Sequence, residues 1–427
     1  MVSNVYKVAY ELLVSIVDQG LNFNVAVKNG LKNTDLDTNQ KNDITSLVGC
    51  ELRHHFIFRE IVKRSFGELN IKSAAGLYLL LANTKFLKKF EEDKMISFAK
   101  EIMLNNGVSL EQNMFETFYQ DFKSSSNIIP SDIETGSIEF LSLRYNVPSY
   151  LVKMWQRQFG NKLTYKILKS ITTQPLKTFL VNTLKISRED FLSKNKDFSP
   201  AITNDMVIYN GKQNYKFLDS YKTGQFIPLS LAQKHFLDSL ELDPFKKVLF
   251  VSNWSSNMFI DLGMKFNKTL NFDVITSSGK EYFNMSNAYK NVGLKNIHFY
   301  RSNISSLITC VSKPVDTLFL LPENSSFDLL RTTPDYSLHF KQSSFDELIK
   351  NQMMALEECD QFINVDGELI YALGTISFKE THGLVSQFLA KHKNYRLIDE
   401  RQFLPFDEFN SIFYYAILKK VGTSSND

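Results

Sequence analysis

The sequence predicts a multi-domain α/β chain. An all-α bundle spans 1–135, a small basic α/β region spans 140–204, a doubly wound and mostly parallel sheet spans 205–420, and 421–427 is a tail. Three observations carry this reading. The first 135 residues show helical periods and no strand signals. From about 205 the period changes to short apolar runs separated by helical patterns, the alternation of a parallel sheet with crossover helices. Between these parts lies a strongly basic stretch.

In VYKVAYELLVSIV the apolar residues Val5, Val8, Ala9, Leu12, Leu13 and Ile16 recur at helical steps. The polar run KNTDLDTNQKND reads as a loop, and a helix follows through DITSLVGCELRHHFIFREIVKRSF, with Asp43 or Thr45 as its cap. Further helices are expected around AAGLYLLLANTKFLKKF and DKMISFAKEIML. SSSNIIPSDIETGS has linker composition. The basic region opens with a helix around SYLVKMWQRQFG, closed at Gly160, and KTFLVNTLKI follows as a strand with a polar continuation. KKVLFVS, FDVITSS, NIHFYRS, VDTLFLL and ELIYALG then read as successive strands, and FYYAILKK as the last.

Length and composition bound the function. At 427 residues, 43% hydrophobic and 22% charged, the chain suits a globular protein of two or three domains. Cys50, Cys310 and Cys359 fit neither a zinc spacing nor a disulfide framework, which predicts a reducing compartment. Glu11 and Asp18 interrupt the amino-terminal apolar stretch, and no run reaches the ~18 residues of a membrane span. A cytoplasmic monomer without membrane contact is expected. No Ser/His/Asp set has local support, and His54 and His55 are neighbours that do not share a helix face, so no metal pair is expected.

The net charge of +3 hides an asymmetry. From Arg144 to Lys196 eleven basic side chains face only Glu189 and Asp190, which leaves the remainder of the chain at −6. Such an excess attracts a polyanion and releases its counterions. Tyr145, Trp155, Phe159 and Tyr165 are interleaved with the charges, to stack or to pack. The nucleic-acid candidates are Arg144, Lys153, Arg157, Lys162, Lys166, Lys185 and Arg188, with Arg331 further along.

Six stretches in order resemble one family. They are LVGCELRHHFIFREIVKRSFG at 47–67, LSLRYNVPSYLVKMWQRQFG at 141–160, VNTLKISREDF at 181–191, GLKNIHFYRSN at 293–303, RTTPDYS at 331–337 and DGELIYALGT at 366–375. Together they are similar to the bacterial 16S ribosomal RNA cytosine-5 methyltransferase B, of the Sun family. The resemblance implies a NusB-like helical domain, a basic RNA-binding region and a Rossmann-like class I methyltransferase domain that binds S-adenosylmethionine. It also implies two cysteines, one attacking C6 of cytosine and one assisting product release. RNA, ribosomal and of the small subunit, is the implied partner, with a further protein partner possible at the NusB-like domain.

The chemistry implied by that resemblance is missing at the matching positions. A glycine-rich turn after the first strand lets backbone N–H groups approach the cofactor. Here Phe250 replaces the family's acid, Ser255 its proline, Ser256 and Asn257 its two glycines, and Trp254 adds bulk. The acid expected to hold the ribose hydroxyls is Thr276, and the acid near the adenine is Asn303. In the motif after the fourth strand the acid becomes Leu321 and the cysteine Asn324; the second cysteine becomes Gly374. Attack on a pyrimidine needs a thiolate, and none of these side chains supplies one. The expectation is therefore an RNA-binding protein with methyl transfer lost and no cofactor. The alternatives are an active methyltransferase holding S-adenosylmethionine through Ser255, Asn257 and Asn303, and an interaction scaffold acting through the NusB-like bundle.

Overall fold

The structure, a computed structural model, describes residues 4–111, 113–254, 256–267, 269–302 and 314–422. The chain divides into two compact units, one of residues 1–173 and 329–340, the other of residues 174–328 and 341–427.

The first unit is helical. Helices Asn4–Val17, Phe23–Lys32, Thr38–Leu52, His55–Phe66, Ile71–Ala82, Glu92–Asn105 and Met114–Ser124 enclose one apolar core. Its centre is the helix Ile71–Ala82, in which every residue from Ser73 to Ala82 is buried. Two boundaries differ from the sequence reading. The run taken as a loop contains a helix start at Asp37, whose carboxylate accepts the Gln40 N–H while Gln40 reaches back to the Asp37 N–H. This capping box satisfies donors that a helix start leaves orphaned, so neither Asp43 nor Thr45 is the cap. The helix expected to run on to Phe66 breaks at Arg53–His54.

Helices Ile138–Tyr145, Ser149–Ile171 and the short Tyr336–His339 also belong to this unit. Gly160 interrupts Ser149–Ile171 at φ 71° and ψ 169°, and helical structure then resumes to Ile171. Glycine meets that left-handed requirement without a Cβ clash. The expected break at Gly160 is thus a kink rather than an end.

The second unit holds two sheets. Strands β1 (Thr178–Val181), β2 (Phe198–Pro200), β3 (Met206–Tyr209) and β4 (Phe226–Pro228) form an antiparallel sheet in the order β2-β3-β1-β4. Phe179, Phe191, Phe198 and Phe226 make its aromatic core. The sheet takes strands from both sides of residue 204, so the expected domain boundary there cuts through one folded layer, which ends at Pro228.

The larger sheet has seven strands: β5 (Val248–Ser252), β6 (Phe272–Thr276), β7 (Ile297–Arg301), β8 (Val315–Leu321), β9 (Ile363–Leu373), β10 (Tyr395–Phe403) and β11 (Phe413–Lys420). Their order is β10-β11-β9-β8-β5-β6-β7. β9, β8, β5, β6 and β7 run parallel, and β11 is antiparallel to both β9 and β10. One apolar layer covers each face. The strand order reverses at β5, between β6 and β8, and the carboxyl ends of these three strands mark the crevice where such sheets bind ligands.

Candidate functional site: the carboxyl edge of the sheet and a basic helix

β5 is buried throughout, and Phe250, at the place of the family's acid, is 1% exposed. Its ring stacks on Phe319 of β8 with centroids 4.2 Å apart and planes 4° from parallel, and Phe272 and Phe259 complete the cluster. The position is core rather than ligand-facing. Phe250→Asp is expected to cost roughly 3–5 kcal/mol in a denaturant titration, through the lost ring and an unpaired buried carboxyl.

The turn after β5 folds back on the neighbouring strands. Asn253 N–H donates to the Leu321 carbonyl at 2.8 Å. Its side-chain Oδ1 accepts from the Ser277 N–H at 3.2 Å, from the Ser277 hydroxyl at 3.0 Å and, at 3.5 Å, from the Thr276 hydroxyl. Thr276 in turn accepts the Ser278 N–H at 3.2 Å. Asn253 therefore holds the groups at the end of β6, where a nucleotide-binding sheet presents an acid to ribose hydroxyls. The Arg301 guanidinium lies 3.2 Å from where a Cβ on Gly279 would stand, and Glu281 is in the first turn of the same helix. Trp254 is half-buried against the apolar layer. Asn257 donates to the Pro228 carbonyl at 2.7 Å, and Ser256 accepts the Met258 N–H at 3.2 Å. Asp273 lies within β6 and pairs with His298 at 3.4 Å. Ser255 and Asn303 lie outside the described residues.

The loops after β8 and β9, where the family's two cysteines are expected, are joined by a carboxylate the sequence reading did not single out. Glu380 is fully buried. Its Oε1 accepts the Ser325 N–H at 2.8 Å and the Gln352 amide at 3.0 Å, and its Oε2 accepts the hydroxyls of Ser325 at 2.6 Å and Thr375 at 3.2 Å. Tyr371 donates to the Glu380 carbonyl at 3.1 Å. Burial pushes the Glu380 carboxyl above its ordinary range, against the pull of these donors. Asn324 is buried in a turn of its own, its Oδ1 accepting the Ser326 N–H at 2.8 Å. A Cβ at Gly374 would stand 3.1 Å from the Asp328 carboxylate.

The described thiols do not replace the missing ones. Burial lifts the Cys50 thiol to about 12, and Cys359, fully buried at a helix end, is pushed up by the same cause. Cys310 lies outside the described residues. Among the described residues no group of three or more His, Cys, Asp or Glu side chains is placed to hold a metal.

The basic candidates divide between the two units. Arg144, Lys153, Arg157, Lys162 and Lys166 are exposed on the helices Ile138–Tyr145 and Ser149–Ile171 of the first unit. Lys153 and Arg157 share a face before the kink, and Lys162, Lys166 and Lys169 share one after it. Of the interleaved aromatics, Trp155 is fully buried, Tyr145 and Phe159 are half-buried and Tyr165 is exposed. Arg331 also belongs to the first unit but is only 3% exposed, and its Nε points to the Thr173 carbonyl at 3.4 Å. Nearby in the RTTPDYS segment, buried Asp335 accepts the Phe23 N–H at 2.8 Å. Lys185 and Arg188 belong to the second unit.

Lys185 is a structural strap. Its ammonium donates to the carbonyls of Thr223 at 2.7 Å and Asn291 at 2.9 Å, beside Asn182, whose amide binds the Gly224 and Val292 carbonyls. Arg188 reaches Glu189 and the Thr203 carbonyl. Lys185→Ala should therefore lower stability by about 1 kcal/mol, from the lost hydrogen bonds, and leave RNA affinity unchanged. Thermal unfolding beside a binding titration separates the two effects.

No protein-family model matches this chain, and no curated protein matches it by sequence. Solved structures do. PH0851 matches with a TM-score of 0.78 at 14% identity, covering 98% of this chain and 100% of that one. NSun6 from Pyrococcus horikoshii, solved with SFG, matches with a TM-score of 0.58 at 14% identity over 65% of this chain and 99% of its own. A methyltransferase homolog protein from Pyrococcus horikoshii gives 0.57 at 14% over 68% and 100%. At this identity the likeness establishes the fold alone: an all-α amino-terminal region and a Rossmann-like domain built on a mostly parallel sheet.

Proposed function

We propose that this chain is an RNA-binding member of the Sun-type methyltransferases that no longer transfers methyl groups and binds no S-adenosylmethionine. The observation that carries the reading is the side chain of Asn253, which takes up the hydrogen-bonding groups at the end of β6. The described residues do not fit the cofactor: no carboxylate ends β6, the place of the family's first acid is a phenylalanine stack, and the turn carries Trp254, packed against the apolar layer. Asn324 and Gly374 provide no nucleophile, and Glu380 ties together the two loops between which a flipped cytosine would enter.

The basic helix Ser149–Ile171 supports RNA as the ligand, and the resemblance directs the search to small-subunit ribosomal RNA. The helical bundle, NusB-like by the same resemblance, is the site offered for a protein partner. The direct test incubates the protein with methyl-labelled S-adenosylmethionine and ribosomal RNA. The reading expects no label above a protein-free blank. Label recovered on C5 of cytosine would sink it.

A further inference from the structure

We propose that Tyr165 is a stacking platform for an unpaired RNA base, framed by Lys162, Lys166 and Lys169. This deepens the reading of the helix as an RNA-binding element and rests on it. Tyr165 is 51% exposed, whereas Trp155, whose indole the sequence offers equally, is buried in the unit's interior. Tyr145, on the neighbouring helix, meets the Tyr165 ring edge-on, with centroids 6.2 Å apart and planes at 84°. The brace fixes the ring's orientation and leaves half of its surface to solvent, so little entropy is lost when a base lands on it.

The charges lie where such a base needs them. Lys162, Tyr165, Lys166 and Lys169 fall at helical steps on one face, over roughly 10 Å of helix. Between Ser149 and Ser187 the chain contains no Asp or Glu, so no acid of its own helix neutralises the row. An aromatic platform beside a track of lysines is how a protein binds single strands without reading their sequence. The platform also sets the substrate class. In an A-form duplex the bases are stacked inside the helix and only phosphates and ribose are offered, so the ring would have nothing to stack on. Unpaired loops and ends present a free π-face.

The experiment uses the full chain and two labelled probes, an oligoadenylate of about a dozen nucleotides and a duplex RNA of similar length. Anisotropy titrations compare the wild type with Tyr165→Ala, Tyr165→Phe and the pair Lys162→Glu/Lys166→Glu. We expect Tyr165→Ala to weaken the single strand at least about fivefold, with the salt slope and the duplex affinity unchanged, and Tyr165→Phe to keep wild-type binding. The lysine pair should weaken both probes. If Tyr165→Ala binds the single strand as the wild type does while the lysine pair loses it, the platform is overturned and the RNA-binding reading stands. If the wild type binds neither probe, both are overturned.

Discussion

Replacing Glu380 by alanine should lower the stability of the carboxy-terminal unit by roughly 3–5 kcal/mol, the range for opening a buried polar network at its hub. The carboxylate accepts from Ser325 twice, from Gln352 and from Thr375, all at buried positions. Its removal takes the acceptor from the Ser325 N–H and from one Gln352 N–H, leaves the Ser325 and Thr375 hydroxyls to each other at 2.6 Å, and opens a cavity where two loops meet. Glu380→Gln keeps the volume and most of the bonds, and its effect should depend on pH. Burial raises the folded-state pKa above the ordinary 4.5, so the folded state holds its proton more tightly than the unfolded chain does. Stability from this group is fully present below 4.5 and falls as pH rises through the folded value. Urea titrations across that window should therefore show a decline in the wild type that is shallower in Glu380→Gln.

The second large effect is electrostatic. Charge reversal at Lys153, Arg157, Lys162 and Lys166 together should abolish salt-sensitive RNA binding. Each lost phosphate contact removes about 0.7 from the slope of log affinity against log salt for a single strand. Four lost contacts remove about 3, and near 0.1 M salt they weaken binding by roughly 10²–10³-fold. All four side chains are exposed, so the variant's melting temperature should stay close to wild type. An unchanged slope would mean that the basic face is only solvated surface.

Most of the architecture was legible because its signals are local. Apolar strands separated by helical periods identified the parallel sheet. β10 escaped because YRLIDERQF is an edge strand with few buried residues, and a register shift between Leu397 and Asp399 breaks its alternation. The helix start at Asp37 was legible in principle, since Asp37 and Gln40 have capping-box spacing, but the polarity of the run outweighed it. The small sheet extends past 204 because β3 and β4 are four and three residues long, too short to carry a period.

The site divides along the same line. The absence of a carboxylate or thiol at Phe250, Thr276, Asn324 and Gly374 could be read from residue type, once the resemblance had singled out those positions. What replaces it could not. Asn253 acts on Ser277 across 24 positions, and Glu380 on Ser325 across 55, so only the fold brings these partners together. Likewise charge alone could not distinguish Lys185, held by two carbonyls, from Lys162 on an open helix face.

In the proposed function, the crevice at the carboxyl ends of β5, β6 and β8 no longer accepts S-adenosylmethionine. Calorimetric titration of the purified full chain with S-adenosylmethionine decides this. No binding heat is expected up to roughly millimolar ligand, an affinity weaker than about −4 kcal/mol. A saturable micromolar isotherm would contradict it, and would mean that Asn253 and Trp254 move aside to admit the cofactor.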